Sequence, residues 1–310
     1  VWEELNTLRT DLISQGIDAL CISGDIFHYK TPSRYNPEDL NRISEWLNSL
    51  PFPIYSIPGN HDLPQSSIDN LSKSPYLTVL NSVQNMRDVS DNETPQLRSF
   101  LQNICITGIP YMPLDRMREN LEKLNSRLNP ENMNIILLHC DAIPNADIKL
   151  PYKVISQSDM VNMIPNADVI LQGHIHLSFA PVNIGNTLVS KPWSIGRVVK
   201  DYFNNTDVLE HQHIPTYGIC DIGYDEETKA KIKYVQYYPL SSYKQAAEIF
   251  DFNLMKKEIS NSVAVQSFVD KLNNEYGNIH NAMQLQGAER FMGNLSEDIR
   301  KTIQEYLDKV

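Results

Sequence analysis

The stretch Ser23-Gly24-Asp25-Ile26-Phe27-His28 decides how this sequence is interpreted, because an apolar run changes there to polar side chains within two residues. Residues 19–22, just before it, have the apolar character of a short buried strand. The stretch Pro58-Gly59-Asn60-His61-Asp62 repeats the pattern after the apolar residues 54–57. Open α/β sheets hold their sites in loops that follow strand ends. The sequence therefore predicts an α/β fold with a site at these two loops.

Two later segments continue the pattern. The apolar run 134–138 ends in His139-Cys140-Asp141, and the run 168–171 leads into Gly173-His174-Ile175-His176. Carboxyl ends of neighbouring parallel strands meet at one edge of a sheet, so we expect these loops to lie together. The side chains that could converge there are Asp25, Asn60, His61, His139, His174 and His176.

Mixed ligation by aspartate, asparagine and histidine suits a borderline divalent metal such as Mn²⁺, Fe²⁺ or Zn²⁺ better than Ca²⁺. A carboxylate can bridge two such ions, and a pair about 3.5–4 Å apart clamps the attacking and leaving oxygens of a phosphoryl group. A single histidine after a strand is more often an ordinary turn residue. Four such loops together are hard to explain in that way, so the sequence predicts a metal site.

The order GD, GNHD, H and GHIH resembles that of the calcineurin-like metallophosphoesterase superfamily, over roughly residues 17–200. Gly24 to His28 resembles the GD(L/I)FH motif of its Mre11/SbcD nuclease family, of which a phage version is one alternative. Three flanking pieces fit that family as well: Pro32-Ser33, Gly108 to Tyr111, and Ser194 to Arg197. The resemblance implies a four-layer αββα sandwich with two mixed β-sheets and a small C-terminal capping domain.

The resemblance also implies a ligand set for two divalent cations, with Mn²⁺ expected and Mg²⁺, Fe²⁺ or Zn²⁺ as alternatives. Asp25 would bridge the two ions. Asn60, His139 and His174 would complete the second metal. His176 would bind the first metal, whose other ligands belong to an Asp-x-His motif that is not found before Asp25. We expect that motif upstream of the given sequence; loss of half a metal site is the alternative.

Three further residues have implied roles in catalysis. His61 would act as general acid or transition-state stabiliser at the leaving oxygen, and Asp62 would fix its orientation. His28 would lie near the scissile phosphate and help to place a DNA strand. The cations would lower the pKa of the attacking water and neutralise the charge that develops on the phosphoryl group.

The expected domains are a metallophosphoesterase core over residues 1–240 and a helical capping domain over residues 241–310. Within the core we expect helices near residues 37–50 and 115–128, and a polar turn over residues 86–97. His211 and His213 form an HxH in a polar loop, and no strand end precedes them, so they are interpreted as solvated.

Composition limits the possible partners. No apolar run approaches the roughly 20 residues of a membrane helix, and four scattered cysteines indicate free thiols in a reducing cytoplasm. The net charge of −11 argues against a self-sufficient DNA-binding surface. An acidic nuclease therefore implies a partner, and the resemblance implies a Rad50/SbcC-like SMC ATPase, a homodimer and association with the nucleoid.

The function expected from the resemblance is a DNA exonuclease and endonuclease subunit that acts in double-strand break or end processing. Two other classes remain open. One is a metallophosphoesterase that acts on nucleotides, cyclic dinucleotides or phosphoproteins. The other is a catalytically degenerate scaffold that binds a partner.

Overall fold

The computed structural model describes residues 2–30, 32–90, 96–97, 103–144, 153–175, 178–196, 214–228 and 230–242. All of them belong to one compact unit, Val1–Tyr243. Three predictions lie outside the described residues: the ligand His176, the loop with His211 and His213, and residues 243–310 of the expected capping domain.

Short strands alternate with helices along the described chain. The strands are β1 (Leu20–Ile22), β2 (Ile54–Ser56), β3 (Met86–Asp88), β4 (Gln96–Leu97), β5 (Ile104–Ile109), β6 (Met133–Cys140), β7 (Ala142–Ile143), β8 (Ile155–Ser156), β9 (Val169–His174), β10 (Phe179–Ile184), β11 (Thr187–Lys191), β12 (Thr216–Tyr224) and β13 (Lys231–Pro239). The α-helices are α1 (Trp2–Ser14), α2 (Pro37–Asn48), α3 (Pro75–Ser82), α4 (Leu114–Asn125) and α5 (Gln157–Met163). Short 3₁₀ turns cover Pro32–Arg34, Pro64–Ser66 and Ile68–Lys73.

Two main sheets form the centre of the fold. The first has the order β1-β2-β3 and is parallel within the described residues. The second has the order β10-β11-β9-β6-β5-β4, with parallel central strands and antiparallel strands at its two edges. β12 and β13 form an antiparallel hairpin, and β7 and β8 a short parallel pair.

The side chains of β6 show how the layers are stacked. All eight residues of this strand are buried, as expected for a central strand covered on both faces. Leu137 packs into the core between the two sheets, together with Ile57 of the loop after β2. Leu138 faces the other way, into the core formed with α4 and α5. Helices α1, α2 and α3 cover the outer face of the first sheet, which gives the four-layer sandwich that was predicted.

Helix α2 begins where its sequence predicts. Asn36 caps it by accepting a hydrogen bond from the backbone N–H of Glu38, and Pro37 occupies the first turn, where its missing N–H costs nothing. By contrast, the polar turn predicted over residues 86–97 is wrong at its start. Met86, only 5% exposed, anchors β3 beside β2. The other two residues of β3 are polar, so the sequence shows no apolar run that would predict a strand.

All four cysteines are free thiols, with Cys105 and Cys140 buried and Cys21 and Cys220 partly buried. Within the described ranges, no helix has the length and apolar character needed to cross a bilayer.

The central position of β6 predicts a large stability loss on truncation of its core side chains. We expect Leu137→Ala to lower the free energy of unfolding by about 3 kcal/mol, because the side chain is fully buried between the sheets. Ile232→Ala on β13, where the side chain is 51% exposed, should change it by less than about 1 kcal/mol. Urea denaturation followed by tryptophan fluorescence measures both. Equal losses in the two variants would contradict this assignment of the core.

Candidate metal centre and active site

The predicted site residues that the structure describes lie at or just after the carboxyl ends of four parallel strands. On the second sheet, β6 and β9 run side by side, with His139 opposite Gly173 and Cys140 opposite His174. On the first sheet, β1 and β2 end just before the loops of Asp25 and Asn60. The two sheets therefore bring their polar strand ends to a common edge.

The carboxylate of Asp62 joins the two loops of the first sheet. It is fully buried and accepts three backbone N–H groups, from Asp25 at 2.8 Å, Phe27 at 2.9 Å and Gly59 at 2.7 Å. In return, Asp25 Oδ1 accepts the backbone N–H of His61 at 2.8 Å. These reciprocal bonds fix the positions of the Asp25 and Asn60 backbones relative to each other.

Backbone strain and close contacts accompany this junction. Asp25 has φ 56° and His174 φ 90°, both in the left-handed region that non-glycine residues rarely adopt. A Cβ atom on Gly59 would lie 2.2 Å from Asp25 Oδ1, and one on Gly173 would lie 2.1 Å from the Ser23 carbonyl oxygen. Glycine is therefore required where these loops meet.

Four of the predicted ligand atoms converge. Asn60 Oδ1 lies 2.9 Å from His174 Nδ1 and 3.1 Å from His139 Nε2. His139 Nε2 lies 3.2 Å from Asp25 Oδ2 and 3.2 Å from His174 Nδ1. Metal–ligand bonds of about 2.1 Å separate adjacent donors of an octahedral set by about 3 Å, so the spacing of this cluster matches a divalent cation.

The outer contacts of the two imidazoles direct their lone pairs inward. His139 Nδ1 lies 2.7 Å from the Ser23 carbonyl oxygen, which can only accept, so Nδ1 carries a proton. The Asp141 carboxylate lies 2.9 Å from His174 Nε2 and favours the proton on that nitrogen. In the neutral histidines, Nε2 of His139 and Nδ1 of His174 are then unprotonated, and their lone pairs face each other. With the oxygens of Asp25 and Asn60 they form a set of four acceptors, which requires a positive charge.

Ionisation in the cluster reflects the same requirement. Burial raises the pKa of Asp25, but the charge and hydrogen bond of His139 and the N–H of His61 outweigh it and hold the pKa at about 2. Burial lowers the pKa of His174, and this outweighs the opposing contact with Asp141. With Asp25 ionised and protonation of His174 disfavoured, both groups are in the state that binds a divalent cation.

The side chains of the cluster differ in their exposure. The His139 side chain is 1% exposed, whereas those of Asp25 and His174 are 17% and 16% exposed. One cation position is thus bounded by Asp25, Asn60, His139 and His174, and Asp25, His139 and His174 offer ligand atoms within 4.8 Å of one another. The predicted role of His176 at a further metal stays a prediction.

His61 and His28 lie side by side next to this cluster. Their rings are stacked, with centroids 5.6 Å apart and an interplanar angle of 13°. His61 Nδ1 lies 2.7 Å from the His28 carbonyl oxygen and so carries a proton. Any proton that His61 gives to a leaving group must therefore come from Nε2. The ring is held by this carbonyl, whereas Asp62, predicted to orient it, binds backbone N–H groups instead.

Two residues near the cluster were not assigned from the sequence. Asp141 follows His139 by two residues, and its Oδ1 has no well-aligned hydrogen bond in the described structure besides its close contact with His174 Nε2. The ring centroid of Tyr111 lies 5.0 Å from the ring centroid of His174 and 6.1 Å from that of His139. The acidic residue directly after the histidine strand was the available signal for Asp141. Nothing in the local sequence indicated the contact of Tyr111.

Removal of the Asp62 carboxylate should destabilise the fold. We expect Asp62→Ala to lower the free energy of unfolding by about 3–5 kcal/mol, since three buried N–H groups lose their acceptor. Asp62→Asn keeps one acceptor oxygen and should lose less. Urea denaturation of both variants tests this. A loss below about 1 kcal/mol for Asp62→Ala would show that the junction does not depend on this side chain.

Loss of Asp141 should weaken metal binding. We expect Asp141→Ala to lower Mn²⁺ affinity about 10–100-fold, because the proton on His174 Nε2 loses the carboxylate that favours it. Asp141→Asn retains an acceptor and should lose less than about tenfold. Calorimetric titration with Mn²⁺ measures both, with Asp159→Asn on the exposed side of α5 as the matched control. Wild-type affinity in Asp141→Ala would contradict this role.

Comparison with known proteins agrees with this geometry. The family model of the calcineurin-like phosphoesterases matches residues 1–178, which contain all four converging residues. The DNA double-strand break repair protein Mre11 of Methanococcus maripaludis is 27% identical over 213 residues, covering 64% of this chain and 49% of that protein. A 3′,5′-cyclic-nucleotide phosphodiesterase of Nostoc is 26% identical over 188 residues, covering 58% of this chain and 61% of that protein.

A third relative is the 3′,5′-cyclic adenosine monophosphate phosphodiesterase CpdA of Haemophilus influenzae, 23% identical over 163 residues, which cover 51% of this chain and 54% of that protein. The chain thus spans about half the length of the curated relatives it matches. The family match covers more than half of the 310 residues and includes the converging strand ends. The chain therefore belongs to the calcineurin-like phosphoesterase family and has the fold of a hydrolase that acts on phosphoesters.

Proposed function

We propose that this chain is a Mn²⁺-dependent DNA nuclease, the phosphodiesterase subunit of an Mre11–Rad50-like complex. The observation that carries the proposal is the pair of stacked rings of His28 and His61 beside the four converging ligands. A phosphodiester has a leaving oxygen that needs a proton, and a neighbouring nucleotide that needs to be held. The two histidines offer one group for each task.

Divalent cations, when bound, would activate a water and neutralise the charge that develops on the phosphoryl oxygens. Asp25, Asn60, His139 and His174 would hold one of them, and Asp25 and His176 are the proposed contributors to a second. In its imidazolium form, His61 would donate its Nε2 proton to the departing 3′-oxygen and become the neutral ring, whose Nδ1 proton stays on the His28 carbonyl oxygen. The His28 ring would then contact the strand next to the cleaved bond.

A second candidate function is hydrolysis of cyclic nucleotides. The Nostoc and Haemophilus relatives, both named as cyclic-nucleotide phosphodiesterases, are nearly as similar to this chain as the archaeal repair protein. The cluster of Asp25, Asn60, His139 and His174 would serve that reaction equally well. The GDIFH sequence that carries His28 favours the nuclease, and the Mre11 relatives add support.

Further parts of the proposal concern assembly. The net charge of −11 gives the chain a weak general attraction for DNA, so a Rad50-like ATPase would contribute DNA-binding surface. A capping domain within residues 241–310, a homodimer and a location at the nucleoid complete the proposal. The archaeal relatives named Mre11 support it by analogy.

The test compares substrates on one preparation of the protein. End-labelled single-stranded and duplex DNA, cyclic AMP and bis-p-nitrophenyl phosphate are each incubated with Mn²⁺, with Mg²⁺ and with EDTA. We expect cleavage of DNA in Mn²⁺ and a loss of about 10²–10⁴-fold in kcat for His61→Ala, the range that general acids contribute. His211→Ala, in the HxH predicted to be solvated, is the matched control and should retain activity.

Each alternative has its own outcome. Hydrolysis of cyclic AMP with intact DNA would move the proposal to the second candidate. Cleavage of the nitrophenyl ester alone would leave a phosphodiesterase of another substrate class. Calorimetric binding of Mn²⁺ without hydrolysis of any substrate would indicate a scaffold, and it would overturn the nuclease.

A further inference from the structure

A row of side chains leads from the candidate active site to the surface. His28 stacks on His61, and the Tyr29 ring meets the His28 ring edge-on with centroids 4.8 Å apart. The guanidinium of Arg34 then lies 5.6 Å from the centre of the Tyr29 ring. We call these four residues, His61, His28, Tyr29 and Arg34, the ring row. It extends outward from the point where His61 would protonate a leaving group.

Tyr29 is exposed but held in place. The residue has 43% of its surface accessible, so its ring is available to a ligand. Its backbone N–H donates a hydrogen bond to the hydroxyl of Tyr35. The Tyr35 ring packs edge-on against Phe27 with centroids 5.2 Å apart, and Phe27 is only 5% exposed. The exposed ring is therefore anchored to the core through two aromatic neighbours.

Two cationic residues, Arg34 and Lys30, belong to the segment that carries this ring. Arg34 lies at one side, and Lys30 follows Tyr29 in the chain and donates a 2.6 Å hydrogen bond to Ser66 Oγ. Ser66 Oγ in turn lies 3.3 Å from the carbonyl oxygen of Asn60, so Lys30 is connected to the loop of a predicted metal ligand. In a chain with a net charge of −11, the guanidinium beside this exposed ring and the ammonium group of the next residue give the segment local positive charge that attracts an anion.

An anchored aromatic ring with a guanidinium beside it, next to the proposed phosphodiester-cleaving centre, has the chemistry of a single-stranded nucleic-acid site. We propose that Tyr29 stacks on the base of the nucleotide adjacent to the scissile phosphate, and that Lys30 and Arg34 attract the next phosphate of the strand. This inference rests on the proposed function and names its substrate form: a polynucleotide strand with an unpaired base at the cleavage site. Tyr29 is then a specificity-determining residue, separate from the metal ligands.

The test combines a side-chain truncation with a base deletion. Single-stranded oligonucleotides carry one abasic residue at successive positions, and cleavage is followed in Mn²⁺ for wild type, Tyr29→Ala and Tyr29→Phe. We expect Tyr29→Ala to raise KM about tenfold with kcat within about twofold, in the range found for base stacking. Tyr29→Phe should retain the wild-type KM because it keeps the ring. Tyr234→Ala, at a tyrosine that is 56% exposed on β13, is the matched control.

The test depends on whether the increases in KM from Tyr29→Ala and from the abasic residue combine. In wild type, an abasic residue at one position beside the cleaved bond should raise KM by the same factor as Tyr29→Ala, and the two changes together should cause no further loss. Losses that multiply, or an unchanged KM in Tyr29→Ala, would overturn the stacking. Unchanged Mn²⁺ affinity of the variant shows that the ligand cluster is intact.

Failure of the proposed function is recognised separately. If wild type cleaves no DNA, binding of an oligonucleotide that contains 2-aminopurine is measured by fluorescence instead. Quenching that is present in wild type and Tyr29→Phe but absent in Tyr29→Ala would support the stacking site even without cleavage. Absence of quenching in wild type would overturn it.

Discussion

The carboxylate of Asp62 is the contact on which the geometry of the site depends. It accepts the backbone N–H groups of two loops from adjacent strands and is itself fully buried. Burial and the charge of Asp25 raise the pKa of Asp62 to about 7, against the N–H groups that lower it. A buried carboxyl group is kept here because it provides the acceptor for three backbone N–H groups of the loops. The ligand side chains point together as a consequence of backbone bonds.

Both main sheets contribute to the cluster, so its geometry depends on the sandwich. Asp25 and Asn60 come from the first sheet, and His139 and His174 from the second. The core between the sheets, which includes Leu137, sets the distance between these pairs. The hydrogen bond of His139 Nδ1 to the Ser23 carbonyl oxygen then joins the two sheets directly at the site. The hydrogen bond that sets the tautomer of His139 therefore also holds the edges of the two sheets together at the site.

The parts of the fold and site that could be predicted are those in which one short segment carries its own signal. An apolar run that stops at a glycine and continues as Asp, Asn or His was sufficient to predict that the loops of Asp25, Asn60 and His174 follow strand ends. β3 was missed because only Met86 of its three residues is buried apolar, and the strand exists through pairing with β2. The contact of Tyr111 with His174 was missed for a related reason, because it arises between segments far apart in sequence. Asp141 had a local signal, its place directly after β6, but its contact with His174 depends on the pairing of β6 with β9.

The difference between strand ends and the loops outside the sheets also explains why family membership does not determine the substrate. The ligand cluster is built at strand ends, where hydrogen-bond register and core packing leave little freedom, and relatives with different substrates can share it. The residues of the ring row beyond His61 lie between β1 and α2, in a segment outside both sheets. Such a segment can change its side chains without changing the register of any strand. Substrate choice is therefore expected to depend on the loop that carries His28, Tyr29 and Arg34, while the chemistry depends on the strand ends.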